Sequence, residues 1–550
     1  EYDEFGRMVK FFAPGERPGE ATEEYEFRLG LDGRRSEIVS RSRTEAGGEW
    51  DLETVDCFDG RSRKYQTLSK IKDASGNDSH YLATRFSVFN LKNKTVRAFQ
   101  GYEQPLEAGC ASSPPSLESH QHIVMKYDGQ GRVVKVTNED GTSVNTVYRP
   151  FGQRTYDENG NMTEQFNDGA ARVIGFQRPR LPGQPSDIRY VEMEYDSLSR
   201  MTRVYDSDGN VKEQEFDLLD RTLLVKDPNA GTRWWQRNDL SLVTASGDAN
   251  GDIVKSTYDN LGRVRTTWVD GERDSTLQET FYDTTQPGCV VNGVDECTSP
   301  IGKTVKTSYR GDGCPGGVCN SWWGYSVRKN TIYSSVELPD ANGFRFVFRS
   351  EFDNAERLTK TEYPDGRSLT FSYDGAGRES SIDYLGEPVV QMGYDEKGRF
   401  TSLTYENGVK DSFTFDQRNK LANHKTVGNG KDYQFYTYHR DAVGNIQRID
   451  DDSLSGGIWQ AVYEYDDWYR LTKATVGGDK IIPYEYNDID NILRKDNVAY
   501  QYLSEKPNAV TSAGAVDFEY DFAGQMTQRN GSEFRWDSRQ RLRRVEKSDE

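Results

Sequence analysis

Tyr373-Asp374-Gly375-Ala376-Gly377-Arg378 is followed by Tyr394-Asp395-Glu396-Lys397-Gly398-Arg399, and this stretch decides the architecture. Phe352-Asp353 precedes it and Phe415-Asp416 follows it, so that Phe352, Tyr373, Tyr394 and Phe415 stand at intervals of 21 residues. The same unit, aromatic-Asp-x-x-Gly-Arg, recurs as Tyr2-Asp3-Glu4-Phe5-Gly6-Arg7, as Tyr127-Asp128-Gly129-Gln130-Gly131-Arg132 and as Tyr258-Asp259-Asn260-Leu261-Gly262-Arg263. Degenerate copies at Phe216-Asp217, Tyr465-Asp466 and Trp536-Asp537 keep the aromatic-Asp pair and lose the glycine. A fixed internal period of this kind is the signature of a repeat architecture.

Each period contains a second mark 13 residues after the aromatic: Asp140-Gly141, Asp208-Gly209, Asp365-Gly366 and Asn407-Gly408. Asp-Gly and Asn-Gly favour tight hairpin connections, and the spacing predicts a two-residue turn at each pair, making one repeat one hairpin. The intervening segments alternate as strands do. In Ser368–Tyr373, Leu369, Phe371 and Tyr373 share one face. The motif aromatic is therefore expected to end a strand with its ring packed against rings of neighbouring hairpins. The following Asp and Gly are expected to make the return turn, and the Arg to pair with the Asp.

Composition agrees with a thin sheet. Only 34% of residues are hydrophobic and the mean hydropathy is −0.86, values that border on those of disordered chains. The 32 Tyr, 25 Phe and 9 Trp argue for order, because large rings bury well in sheets. Scarce aliphatic volume leaves little to pack a second layer, so the array is expected to enclose space, lined by Tyr, Arg, Asp and Ser, instead of filling it. The net charge of −19, with both signs mixed along the chain, excludes a nucleic-acid groove. No apolar run approaches the length of a spanning helix and no signal peptide opens the sequence. A start at Glu1 without Met is that of a piece of something longer.

Residues 286–344 break the period and read as an inserted segment protruding from the array. They hold Cys289, Cys297, Cys314 and Cys319. An even cysteine count favours disulfides, Cys314 with Cys319 across Pro315-Gly316 and Cys289 with Cys297, and hence an oxidising compartment. Zinc is the alternative, although seven residues separate the first pair where two to four are usual. Trp322-Trp323 is expected to pack under the inserted loop, an exposed partner or sugar contact being the other reading. Residues 101–122 are irregular too, with Cys110, and His120 and His122 are expected to face solvent. Asp206-Ser207-Asp208-Gly209-Asn210 echoes the start of a calcium loop but coincides with a turn. No nucleophile elbow, phosphate loop, zinc-protease helix or dinucleotide fingerprint occurs. Most aspartates occupy turn positions, which accounts for them without acid-base chemistry.

The repeated unit, its 21-residue period and the internal turn together resemble the YD repeat of Rhs proteins, of insecticidal toxin-complex subunits and of teneurins. The likeness covers most of residues 127–285 and 345–547. Residues 1–126, with Pro14-Gly15-Glu16, Tyr25-Glu26-Phe27 and Phe58-Asp59-Gly60-Arg61, are similar to the segment entering the repeats in SpvB-like subunits. The resemblance implies an all-β fold, a long spiralling antiparallel sheet of hairpins forming all or part of a hollow shell, or β-cocoon. It implies an entry region at 1–126, arrays at 127–285 and 345–550 around the inserted 286–344, and no catalysis or cofactor. The implied role is a secreted or cell-surface wall around a cargo polypeptide, a toxin in many members, whose partners are that cargo and the remaining shell segments. A teneurin-like adhesin touching a surface protein or glycan is the alternative. Asp227-Pro228-Asn229-Ala230-Gly231 superficially resembles the family's cleavage-core signature but sits at a turn within the array, so neither cargo nor self-cleavage is assigned to these residues.

Overall fold

The computed structural model describes the chain except residues 14–19, 31–34, 46–47, 73–76, 119, 180–187, 292, 312–313, 315–316, 339–343, 454–458 and 548–550. The readings at Pro14-Gly15-Glu16 and at Pro315-Gly316 fall on these and lie outside the described residues. Among the described residues the only helical elements are Arg273–Thr276 and a 3-10 turn at Leu106–Ala108. Hydrogen bonding joins strands into a 46-stranded sheet, beside a two-stranded one at Val290–Val291 and Val294–Asp295.

The ladder is a succession of antiparallel hairpins. Thr361 pairs with Leu369, Leu369 with Tyr384, Phe371 with Ile382, and Ile382 with Val390. Because paired residues share a face, the alternation in each strand becomes a continuous apolar face across strands. The opposite face is polar. Glu194, Glu215, Glu351, Glu464, Glu485 and Glu519, each immediately before a motif aromatic, are all exposed.

The dipeptide turns are not two-residue turns. Around Asp140-Gly141, the N–H of Asn138 donates to Thr142 O and the N–H of Gly141 to Asn138 O. The same pattern joins Asp206 to Asn210, Tyr363 to Arg367 and Tyr405 to Val409. Gly141 has φ +85° whereas Asp140 is not in the left-handed region. A two-residue I′ turn needs positive φ at both central residues, so these are type I turns closed by a left-handed glycine and a bulge. Side-chain pairing selects this loop. It sets Val136 opposite Val144, where a two-residue loop at 140–141 would set Val136 opposite Asn145.

By contacts the chain divides into two units, each drawing on separate stretches. The first comprises Glu1–Thr146, Gly324–Ser334 and Val347–Trp459. It holds a dry cluster around Val39, Val55, Leu68 and Ala83, in which Phe86 meets Tyr65 and Phe99 edge-on at 5.2 and 6.0 Å. The Cys57–Cys110 disulfide ties this cluster to the irregular segment. The second unit comprises Val147–Trp323, Ser335–Phe346 and Gln460–Glu550. The whole chain exposes 31297 Å², against about 20,000 Å² for a compact globule of its mass. Few side chains are fully buried, which accounts for the excess.

Residues 286–344 are only partly an insertion. Thr304–Tyr309, Cys319–Tyr325 and Thr331–Glu337 are strands of the large sheet, and Thr304–Tyr309 pairs with Gln278–Tyr282. Among the described residues the longest stretch here that leaves the sheet lies between Tyr282 and Thr304 and holds a small hairpin stapled by Cys289–Cys297. The extra length lies in that loop, so the 21-residue period is lost although the ladder continues.

Candidate functional site

The recurring constellation is the motif turn itself. In Asp128-Gly129-Gln130-Gly131-Arg132, Asp128 Oδ1 accepts the N–H groups of Gln130 and Arg132, both at 2.9 Å, and Oδ2 accepts Arg132 Nε at 2.8 Å. Gly131 closes the turn at φ +82°. Asp259 does the same with Leu261 and Arg263, Asp374 with Ala376 and Arg378, and Asp395 with Lys397 and Arg399. Gly262, Gly377 and Gly398 hold the left-handed position at +77°, +75° and +78°. One carboxylate thus satisfies two backbone donors and one guanidinium in each of these four copies.

The motif aromatic reaches further than ring packing. Tyr127, Tyr258, Tyr373 and Tyr394 donate their hydroxyls to the backbone oxygens of Thr95, Val243, Leu358 and Glu379, at 2.6–2.7 Å. The expected ring-to-ring contact between hairpins is made by Tyr394, whose ring centre lies 4.8 Å from that of Phe400, but the contact that recurs is a cation on a ring. Arg357 lies 4.3 Å from the Tyr373 ring centre, Arg378 4.5 Å from Tyr394, Arg399 4.1 Å from Phe415 and Arg263 4.2 Å from Tyr282. Arg378 Nη1 also donates to Asp395 O at 3.1 Å. Each arginine is therefore bonded to its own aspartate and stacked on the next aromatic, an interaction worth about 0.5–1 kcal/mol at an exposed site. The motif alone does not show this link, because it joins one copy to the next.

The electrostatics favour the ionised form of Asp128, Asp259 and Asp395. The Arg132 N–H and guanidinium hold Asp128 below the usual carboxylate range, and Arg263 does so for Asp259. Burial would raise Asp395, but hydrogen bonds from Arg399 and Lys397 outweigh it and its carboxyl stays low. Asp283, clamped by both terminal nitrogens of Arg263 at 2.6 and 3.0 Å and by the Gly302 N–H at 2.7 Å, is lowered to about 2.

The other candidate residues resolve individually. Cys314 is bonded to Cys319 and Cys289 to Cys297. The third bond, Cys57–Cys110, was not legible from spacing because 53 residues separate its ends. Among the described residues Cys289, Asp295 and Cys297 converge within 4.8 Å, but both sulfurs are spent on each other, leaving no thiolate for zinc. Trp322 is buried under the stapled loop, donating Nε1–H to Pro287 O at 3.0 Å with the Arg345 guanidinium 3.9 Å from its ring. Trp323 follows it on the opposite face, half-buried. His120 and His122 are not solvent-facing. Both are half-buried, His120 against Tyr102 at 4.9 Å and His122 against Phe99 at 5.0 Å, since the disulfide draws this segment onto the aromatic cluster. Asp206 spends Oδ1 on the N–H groups of Asp208 and Asn210 and Oδ2 on the Asn210 side chain, the bonding of a turn. Asp227 likewise caps its turn through the N–H groups of Asn229 and Ala230.

Within each unit the motif turns of later repeats rest on the opposite-end turns of earlier ones. In the first unit Gln100 donates to Gln417 O at 3.4 Å, and Lys397 Nζ to Gln121 Oε1. In the second, Tyr469 donates to Asp157 Oδ2 at 2.5 Å, the Ala523 N–H to Asn250 Oδ1 at 3.1 Å, and Arg539 to Thr276 O at 2.9 Å.

The RHS Repeat family model matches residues 127–171 and 352–386, and the Teneurin YD-shell model matches residues 436–550. No curated protein matches the chain. Of solved structures, the TcdB2-TccC3 complex superposes with a TM-score of 0.81 at 16% identity, covering 97% of this chain and 31% of that one. The same complex without its hypervariable C-terminal region gives 0.76 at 16% identity, covering 92% and 29%. The Photorhabdus luminescens Tc holotoxin pore gives 0.78 at 15% identity, covering 94% and 29%. The chain spans about three tenths of the length of these chains. The chain thus carries stretches that match RHS repeats and a carboxy-terminal stretch that matches the teneurin YD-shell, on a fold shared with the TcdB2-TccC3 complex.

Proposed function

We propose that the chain is a wall segment of a shell that encloses a polypeptide cargo, and that it acts as a container and not as a catalyst. The observation that carries this reading is the large sheet built of one antiparallel hairpin after another, on a fold shared over nearly the whole chain with TcdB2-TccC3. In this reading the ring-bearing face, half-buried along its length, is the face toward the cargo. The glutamate-bearing face is then the one turned outward, and it keeps the wall soluble. Turn aspartates whose oxygens are filled by backbone donors and arginine have no role left in acid-base chemistry. Three disulfides suit a wall that works outside a reducing cytosol. A toxin is the favoured cargo because the matching structures are toxin complexes, and nothing in the comparisons favours the adhesin alternative.

The test is electron cryo-microscopy of the intact parent protein with limited proteolysis before and after mild denaturant. Expected are density against the ring-bearing face and a polypeptide that becomes cleavable only once the wall opens. An open sheet with both faces equally reachable by protease would overturn the reading.

A further inference from the structure

Beside the turn at 536–541 the second unit holds a cavity of about 190 Å³. Its wall carries the guanidiniums of Arg310, Arg539, Arg541 and Arg543 against the carboxylates of Glu272 and Asp537. In a chain of net charge −19 this is a local surplus of two positive charges. The arginines are also short of anionic partners. Arg541 and Arg543 share a single oxygen, Asp537 Oδ2, through Nε at 2.8 and 2.9 Å and through Nη2 at 2.8 Å each. Asp537 Oδ1 is spent on the N–H groups of Arg539 and Arg541. Arg539 donates to neutral oxygens alone, to Gln278 Oε1 at 3.2 Å and to Thr267 O, Thr267 Oγ1 and Thr276 O at 3.3, 3.2 and 2.9 Å. Among the described residues no carboxylate lies within ion-pairing distance of its guanidinium. Burial, and then the like charges of Arg541 and Arg543, hold that guanidinium below the ordinary arginine value. Arg310 is exposed, and its side chain makes no hydrogen bond or ion pair among the described residues. Asp252, outside the wall, is bonded to the Ser538 hydroxyl, and its other charged neighbours are the acids Asp248, Glu272 and Asp521, so it pairs with none of the four arginines.

We propose that this cavity binds a single tetrahedral oxyanion, phosphate or sulfate, with Arg310, Arg539, Arg541 and Arg543 as its donors. A guanidinium presents its N–H groups as a planar fork that fits two oxygens of such an ion. Like charges partly withdrawn from water gain when an opposite charge is placed between them, because a withdrawn charge without a partner is costly. The surplus of two matches a dianion, whereas a carboxylate would leave one charge unmatched and a metal cation would be repelled. The neighbouring hydroxyls are already committed, since Ser275 and Thr276 donate to Glu272 O at 3.1 and 2.7 Å. The bonds to the ion therefore come from guanidinium. Once bound, the ion joins the segment at 269–276 to the turn at 536–543, both of which line the cavity. The site stands whether or not the wall encloses a cargo.

Titration calorimetry of the full chain with sodium phosphate, and separately with sodium sulfate, at constant ionic strength in chloride, tests this. One saturable site is expected, and exchange mass spectrometry should show slower amides at 267–276 and 537–543 and nowhere else. Arg539→Gln should abolish binding. Arg310→Gln, which removes an exposed side chain with no bond to lose among the described residues and so leaves the fold intact, should weaken binding about tenfold. Arg535→Gln takes the same charge from a side chain 60% exposed and outside the cavity, and should leave binding unchanged. No saturable heat with either ion, equal weakening by Arg310→Gln and Arg535→Gln, or protection elsewhere in the chain would overturn the proposal. A sulfated disaccharide added to the loaded protein separates the sources of the ion. Displacement assigns the site to a sulfated glycan and its absence to the free ion, and both results support the site.

Discussion

A single aspartate sets each motif turn. Asp395, 12% exposed at its side chain, accepts two backbone N–H groups and Arg399 Nε at 2.9, 3.0 and 2.7 Å. Asp395→Ala leaves those donors with partial access to water, and we expect a local cost of about 2–3 kcal/mol. It should appear as faster amide exchange at residues 395–399 and at Phe415, on which Arg399 stacks, and unchanged exchange there would refute the assignment. Asp283 supplies the pH dependence. Its folded value of about 2 lies below the ordinary value of about 3.9. The ionised form is therefore favoured by folding, and its contribution is complete above pH 3.9 and lost as pH falls through about 2. The Gly302 amide, held at 2.7 Å by Asp283 Oδ1, should lose exchange protection over that window in the wild type. In Asp283→Asn, protection at Gly302 should be nearly independent of pH there.

At the level of the hairpin, the turn survives loss of its glycine because the backbone does not change. Ser199, Asp220, Glu356, Asn419 and Gln540 occupy the left-handed position at φ of 61–65°. A non-glycine residue there costs roughly 1–2 kcal/mol, partly offset by the lower chain entropy of the unfolded state. Glu356→Gly should accordingly stabilise the 353–357 turn by about 0.5–1 kcal/mol, read from exchange protection of the Glu356 and Arg357 amides. Gly524 behaves oppositely. At φ +83°, a Cβ there would lie 2.5 Å from Asn229 O, so Gly524→Ala should cost about 2 kcal/mol or more. Exchange at Ala523, whose N–H rests on Asn250, reports the loss, whereas Gly366→Ala, with open space around its Cβ, should pay only for backbone strain.

Across the whole molecule, long arrays do not unfold in one step, so stability is regional. The first unit concentrates the buried apolar cluster near its amino-terminal strands, in the stretch where the repeat is least regular. The 53-residue loop closed by Cys57–Cys110 contributes about 4 kcal/mol in the chain-entropy account, against about 2–3 kcal/mol for each of the short loops. Cys57→Ser with Cys110→Ser should therefore release the cluster around Val39 and Leu68, while Cys289→Ser with Cys297→Ser should loosen only the hairpin over Trp322. Regional exchange mass spectrometry separates these outcomes, and equal effects of the two double variants would contradict the ordering.

The sequence by itself determined the repeat, its hairpin, the ring-bearing face and the pairing of each aspartate with its arginine. All of these depend on residues within one period, whose alternation and turn chemistry act locally. Tertiary structure decided the rest. Turn type depended on which strand residues came to face each other, as Val136 and Val144 do. Arg357 over Tyr373, Cys57 with Cys110, and His122 against Phe99 join residues from different hairpins. The seat of Ala523 on Asn250 joins rows 273 residues apart. Such contacts are fixed by the twist and winding of the sheet, which sums over many strands and leaves no mark within a single repeat.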